Sequence, residues 1–107
     1  MHVILDFTVI PIGSGTSLSS YIAVCQRILE KSGLTYEMHA NGTNLEGEWD
    51  TVFNVIRHCH ETLHNMGVAR IHTDIKLGTR SDRFQTMKNK TSSVAEKISA
   101  DKQASTN

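Results

Sequence analysis

From residue 69 to 77 the side chains alternate without a break. Ile71, Thr73, Ile75 and Leu77 fall on one side, and Arg70, His72, Asp74 and Lys76 on the other. A period of two is the repeat of a strand with one dry and one wet face, and a slip of one residue would exchange the faces completely. Three other stretches share it. Residues 3–10 set Val3, Leu5, Phe7 and Val9 against Ile4, Asp6, Thr8 and Ile10. Residues 34–40 set Leu34, Tyr36, Met38 and Ala40 against Thr35, Glu37 and His39. Residues 43–47 return after Asn41-Gly42, a strong hairpin signal because both positions tolerate positive φ.

Between these strands the spacing becomes helical. Leu18, Tyr21, Ile22, Cys25, Ile28 and Leu29 share one face of a helix, with Ser17 as its expected N-cap and Gly33 as its stop. Phe53, Ile56, Cys59, Leu63 and Met66 share one face of a second, between a capping Asp50 and Gly67. After Arg80-Ser-Asp-Arg83 a weaker helix carries Phe84, Met87, Val94 and Ile98, its propensity lowered by Thr91-Ser-Ser93. Residues 99–107 are small and polar and are expected to form a disordered tail, leaving one domain over residues 1–98.

The order strand, helix, strand, strand, helix, strand predicts an α+β fold, a ferredoxin-like βαββαβ sandwich. Right-handed crossovers place both helices on one face of a four-stranded antiparallel sheet, and a C-terminal helix is added. The expected spatial order is fourth, first, third, second strand. The helix-covered face then takes Val3, Leu5, Phe7, Leu45 and Leu77. Asp6, Thr8, His39, Asn44, Glu46, Asp74 and Lys76 face away, so Glu46 is expected in the middle of an uncovered, polar face beside Thr8. Ile4 and Ile10 on that face point to a ligand or a second subunit covering part of it.

Composition excludes several classes. Acidic and basic residues number 11 each, so no net field draws the chain to nucleic acid or an anionic membrane. No apolar run reaches transmembrane length, and Met1-His-Val-Ile-Leu-Asp6 lacks the basic start of a secretory signal. Cys25 and Cys59 both fall on apolar helix faces without the spacing of a disulfide framework. They are expected to be buried, inert thiols of a cytosolic protein.

Several segments match a known family in order: Pro11-x-Gly13 with Ser17, Ser32-Gly33-Leu34-x-Tyr36, Gly42-Thr43-x-x-Glu46-Gly47-Glu48, His60-Glu61, Gly67-x-x-Arg70 and Lys76-x-x-x-Arg80-x-Asp82. Together they resemble the thiamine-binding-protein family of small ferredoxin-like proteins, over residues 3 to 98. The resemblance implies the fold above, dimers that pair into a homotetramer, and binding of thiamine or its hydroxymethylpyrimidine part without catalysis or cofactor. It also implies that Thr43 and Glu46 stand where the family has a sheet-face Thr and Glu.

Glu46 admits two readings. It could accept hydrogen bonds from a cationic or amino-bearing heterocycle, each such charge-assisted bond contributing roughly 1.5–3 kcal/mol, or it could pair across a subunit interface with Arg70, Lys76 or Arg80. The expected ligand site is Thr8, Thr43, Asn44 and Glu46, with His39, Asp74 and Lys76 as further candidates. The function expected from the whole is a non-enzymatic cytosolic binding protein for a thiamine-like or pyrimidine ligand. The alternative is a structural or regulatory oligomer whose polar face is subunit interface. His60-Glu61-Thr-Leu-His64 spells a zinc-hydrolase motif, but the helix pattern puts both histidines beside the buried stripe, toward solvent, and a chance match is the stronger reading. No metal site is expected. Pro11 to Ser17 reads as a plain turn rather than a phosphate loop, lacking the lysine and the full glycine spacing.

Overall fold

The computed structural model describes the backbone of residues 1–106 and the side chains of residues 1–103. Along it run β1 (His2–Ile12), α1 (Ser19–Ser32), β2 (Thr35–His39), β3 (Gly42–Glu48), α2 (Trp49–Asn65), β4 (Arg70–Thr79) and α3 (Met87–Thr106). The strands form one antiparallel sheet in the order β2-β3-β1-β4, which is the expected ferredoxin-like sandwich. The register sets Leu5 opposite both Leu45 and Leu77, so the dry face is continuous across three strands.

Val3, Leu5, Phe7 and Leu45 from the sheet meet Leu29 of α1 and Val52 and Ile56 of α2, all nearly inaccessible. A second cluster, Cys25, Cys59, Leu63 and Val68, lies beside it, and Val9 touches both. The α2 stripe therefore runs Val52, Ile56, Cys59, Leu63: the last three are as the sequence suggested, Val52 is the fully buried residue at its start, and the expected Phe53 is only partly buried. Met66 is left half exposed past the helix end.

Helix starts differ from expectation. Leu18 rather than Ser17 is the N-cap of α1, and Glu48 rather than Asp50 that of α2; neither makes a side-chain cap bond. In α2 the chain enters directly from the extended β3, so Asp50 is already inside the first turn. The stop at Gly33 is as expected, in the left-handed region at φ 75°.

The hairpin also differs. His39 pairs with Gly42, so the two-residue loop is Ala40–Asn41. No non-glycine residue of the described chain has positive φ, and Gly42 is not among the positive-φ glycines. Gly42 is needed for space. A Cβ there would stand 2.8 Å from both Asp6 Oδ1 and Thr8 Oγ1, and 3.0 Å from the Phe7 carbonyl oxygen.

The last helix starts at Met87, behind a reciprocal cap. The Thr86 N–H donates to Asn89 Oδ1, and the Asn89 N–H to Thr86 Oγ1, each at 3.1 Å. Phe84 precedes the helix rather than lying in it. The backbone stays helical through 99–106, where polarity had suggested a tail, because Ala100, Lys102 and Gln103 are good helix formers. Asn107 lies outside the described residues. α3 packs little on the other elements, and the molecule measures 60 × 32 × 21 Å.

Candidate functional site

A cleft of about 580 Å³ opens between the first turns of α1 and the sheet, at the end where β1 runs out and the β2–β3 hairpin turns. Its walls come from the first turns of α1, the end of β1 and the β2–β3 hairpin, which contributes Met38 through Thr43. Phe7, Tyr21 and Ile22 supply apolar wall. At its floor the Gln26 amide Nε2 donates to Thr43 Oγ1 at 2.9 Å, and Thr43 is buried. At its mouth the Thr8 hydroxyl donates to the Asn41 carbonyl at 2.8 Å, and His39 Nε2 bonds Asp6 Oδ1 at 2.7 Å. The Asn41 N–H donates back to His39 Nδ1 at 3.3 Å, so the turn is laced to β1.

Three of the expected site residues, Thr8, His39 and Thr43, thus gather at the cleft. Thr43 reaches it from the helix-covered side: it lies directly opposite Phe7, and period-two pairing puts it on the other face from Asn44. The remaining four do not line the cleft. Asn44 and Lys76 flank Asp6 on the far face, and Asp74 there bonds the His72 ring at 3.0 Å. Gln26 escaped sequence reasoning. Its signal was a carboxamide directly after Cys25, at the edge of an otherwise apolar helix face.

Glu46 is placed differently from expectation. It lies opposite Ile4 on the far face, well removed along β1 from Thr8, and it is only 7% exposed. The cover comes from its own chain. The Met87 N–H donates to Glu46 Oε2 at 3.1 Å, and His2 Nε2 bonds the same oxygen at 3.1 Å. The carboxylate therefore pins the start of α3, an acidic group at the positive end of a helix. Glu46 is on the expected face but is covered rather than open, because strand periodicity carries no information on where a later segment folds back.

The motif histidines are each engaged locally. His60 Nε2 and Thr73 Oγ1 are 2.6 Å apart, and the His64 Nδ1–H donates to the Val68 carbonyl at 2.7 Å just beyond the helix end. Burial, helped by the nearby His64, holds His60 below its ordinary value. Among the described residues no three His, Cys, Asp or Glu side chains are grouped to hold a metal. Both cysteines are free and buried. Contact with Cys59 draws the Cys25 thiol down, while contact with Cys25 and then burial push the Cys59 thiol up.

Among the described residues no helix is long and apolar enough to cross a membrane. The sequence profile of the family described as thiamine-binding protein matches residues 5–95. A UPF0045 protein of Synechocystis sp. is 49% identical over 94 residues, 88% of this chain and 78% of its own length. A UPF0045 protein of Eremothecium gossypii is 39% identical, over 92% of this chain and 95% of its own. Among solved structures, a hypothetical protein of Methanocaldococcus jannaschii superposes with a TM-score of 0.81 at 30% identity, covering 89% of this chain and 97% of that one. A Thermotoga maritima protein provisionally assigned to thiamine biosynthesis or salvage superposes at 0.75 with 18% identity, over 88% and 99%, a likeness of fold.

Proposed function

The chain belongs to the thiamine-binding protein family, and from that premise we propose that it is a small-molecule binding protein. Its ligand is thiamine or a related aminopyrimidine, held in the α1 cleft. It acts without catalysis, in the cytosol, as a homo-oligomer, with a dimer of dimers as the arrangement tested first. The observation that carries this reading is the Gln26–Thr43 pair at the floor of the cleft.

A 4-aminopyrimidine offers an amine donor next to a ring-nitrogen acceptor. A carboxamide offers the complementary acceptor and donor at matching spacing, the pairing glutamine makes with adenine. Gln26 spends one N–H on Thr43, which orients the amide. Its carbonyl oxygen and second N–H remain for a ligand. Phe7, Tyr21 and Ile22 supply the faces between which a flat ring is buried.

Titration calorimetry with thiamine and with hydroxymethylpyrimidine tests it. Saturable binding is expected, and Gln26→Ala should weaken both ligands about tenfold, the loss of one to two hydrogen bonds. An absence of heat at millimolar ligand rejects thiamine; unchanged affinity in Gln26→Ala rejects the cleft.

A second reading has one observation in its favour. Val94 and Ile98, one turn apart on α3, are 58% and 51% exposed. A structural or regulatory oligomer would cover them with another subunit and need no ligand. Sedimentation of Val94→Glu separates the readings: dissociation with thiamine binding retained shows assembly and binding to be independent, whereas assembly without any binding in the wild type leaves the structural role alone.

A further inference from the structure

At the opposite end of β1 a second depression, of about 600 Å³, lies between the end of β4, the connecting segment and the start of α3. The Phe84 ring projects beside it, 70% exposed, although it touches the His2 ring at a centroid distance of 4.7 Å. Arg83 and Lys90 also face this bowl, and among the described residues neither side chain has an ion-pair partner. Arg80 is committed elsewhere: its Nη2–H donates to Asp82 Oδ2 at 2.8 Å and its Nη1–H to Gln85 Oε1 at 3.2 Å, which braces the segment. The wall carboxylate, Glu48, is neutralised by the Met1 ammonium at 2.7 Å. The bowl is therefore left with unbalanced positive charge on Arg83 and Lys90, in a molecule of zero net charge.

We propose that this bowl is a second binding site, for a phosphate ester of a planar heterocycle. It is independent of the α1 cleft. The phosphate oxygens would accept from the Arg83 fork and the Lys90 ammonium, the pairing that guanidinium geometry favours. The ring would lie on the free face of Phe84, since stacking on an exposed aromatic is how flat bases are held without base-specific contacts. Ser81 and Thr79 on the wall add hydroxyl groups for ribose or phosphate oxygens. The helix N-terminus itself contributes little, because the Thr86, Met87 and Asn89 N–H groups are already taken.

Adenosine monophosphate is the probe, followed by amide NMR shifts and calorimetry on the full chain at low salt. Saturable binding is expected, with shifts centred on residues 79–90. Adenosine and inorganic phosphate should each bind at least about tenfold more weakly, since each retains only the stacking or only the ionic part. Phe84→Ala and Arg83→Ala should each lower affinity about fivefold or more, while Gln26→Ala should leave it unchanged. No saturable binding, shifts that map instead to the Gln26–Thr43 cleft, or undiminished affinity in both bowl variants would overturn the site. The Gln26→Ala control keeps this outcome separate from the fate of thiamine binding.

Discussion

Replacing Glu46 by Ala should loosen α3 and destabilise the whole molecule. The carboxylate is 7% exposed and makes two hydrogen bonds through one oxygen, to the Met87 N–H and the His2 ring. Losing the helix-cap bond costs about 0.5–2 kcal/mol. Losing the bond between His2 and a carboxylate costs about 1.5–3 kcal/mol. Against this, the variant no longer desolvates a carboxylate, which returns on the order of 1–2 kcal/mol for a site at the edge of the fold. The net expectation is a destabilisation of about 2 kcal/mol. With a urea slope of about 1.5 kcal/mol per molar for a chain of this size, the unfolding midpoint should fall by about 1.3 M. Hydrogen exchange adds a local readout. Amides of Met87–Thr106 should exchange faster in the variant relative to β1 and β3, because the pin is lost before the core is. Glu46→Gln, which keeps an acceptor for Met87, should lose only about half as much. A midpoint within about 0.3 M of the parent, with unchanged exchange in α3, would refute the assignment of Glu46 as the anchor of that helix.

Gly42→Ala should cost about 1–3 kcal/mol, because the new methyl meets the immovable Phe7 carbonyl as well as Asp6 and Thr8; a thermal midpoint equal to the parent's would contradict the close approach. His60 sits below its ordinary value near 6.5 through burial and the neighbouring His64. The unfolded chain therefore takes up a proton that the folded one resists, so stability is full above that value and falls as the pH drops below it. His60→Gln should flatten the decline in urea midpoint between about pH 7 and pH 5, and a parallel decline in the variant would count against the shift. Because Cys25 lines the cleft beneath α1 whereas Cys59 is wholly inaccessible, a maleimide should label Cys25 before Cys59 in the native protein, as read by peptide mass spectrometry. Earlier labelling of Cys59 would reverse the assignment.

Much of the fold was legible because its repeats are local. Alternation through Val3–Val9 and Ile71–Leu77, and the stripe Ile56-Cys59-Leu63, specify which sides must be dry, and only one sheet order with right-handed crossovers satisfies them together. The cleft was legible in part. Thr8, His39 and Thr43 were singled out, yet as members of a site centred on Glu46. Thr43 follows Gly42 and precedes Asn44, so the same alternation already placed it on the opposite face from Asn44 and Glu46. Gln26 read as an ordinary helix residue because its partner, Thr43, is 17 positions away in the chain. The turn was misplaced by one residue since Asn41-Gly42 fits a positive-φ hairpin equally well, and the true demand on Gly42 comes from β1, a strand far off in sequence.

Periodicity of side chains alone determined the strands, the helices, the layer each face belongs to and the burial of both cysteines, because hydrophobic burial acts on repeats of two and 3.6 residues along the chain. Tertiary structure decided where two elements stop short of touching and where a third folds back. The cleft beneath α1 and the cover that the start of α3 draws over Glu46 through the Met87 N–H both arise from contacts between segments whose approach no local repeat encodes.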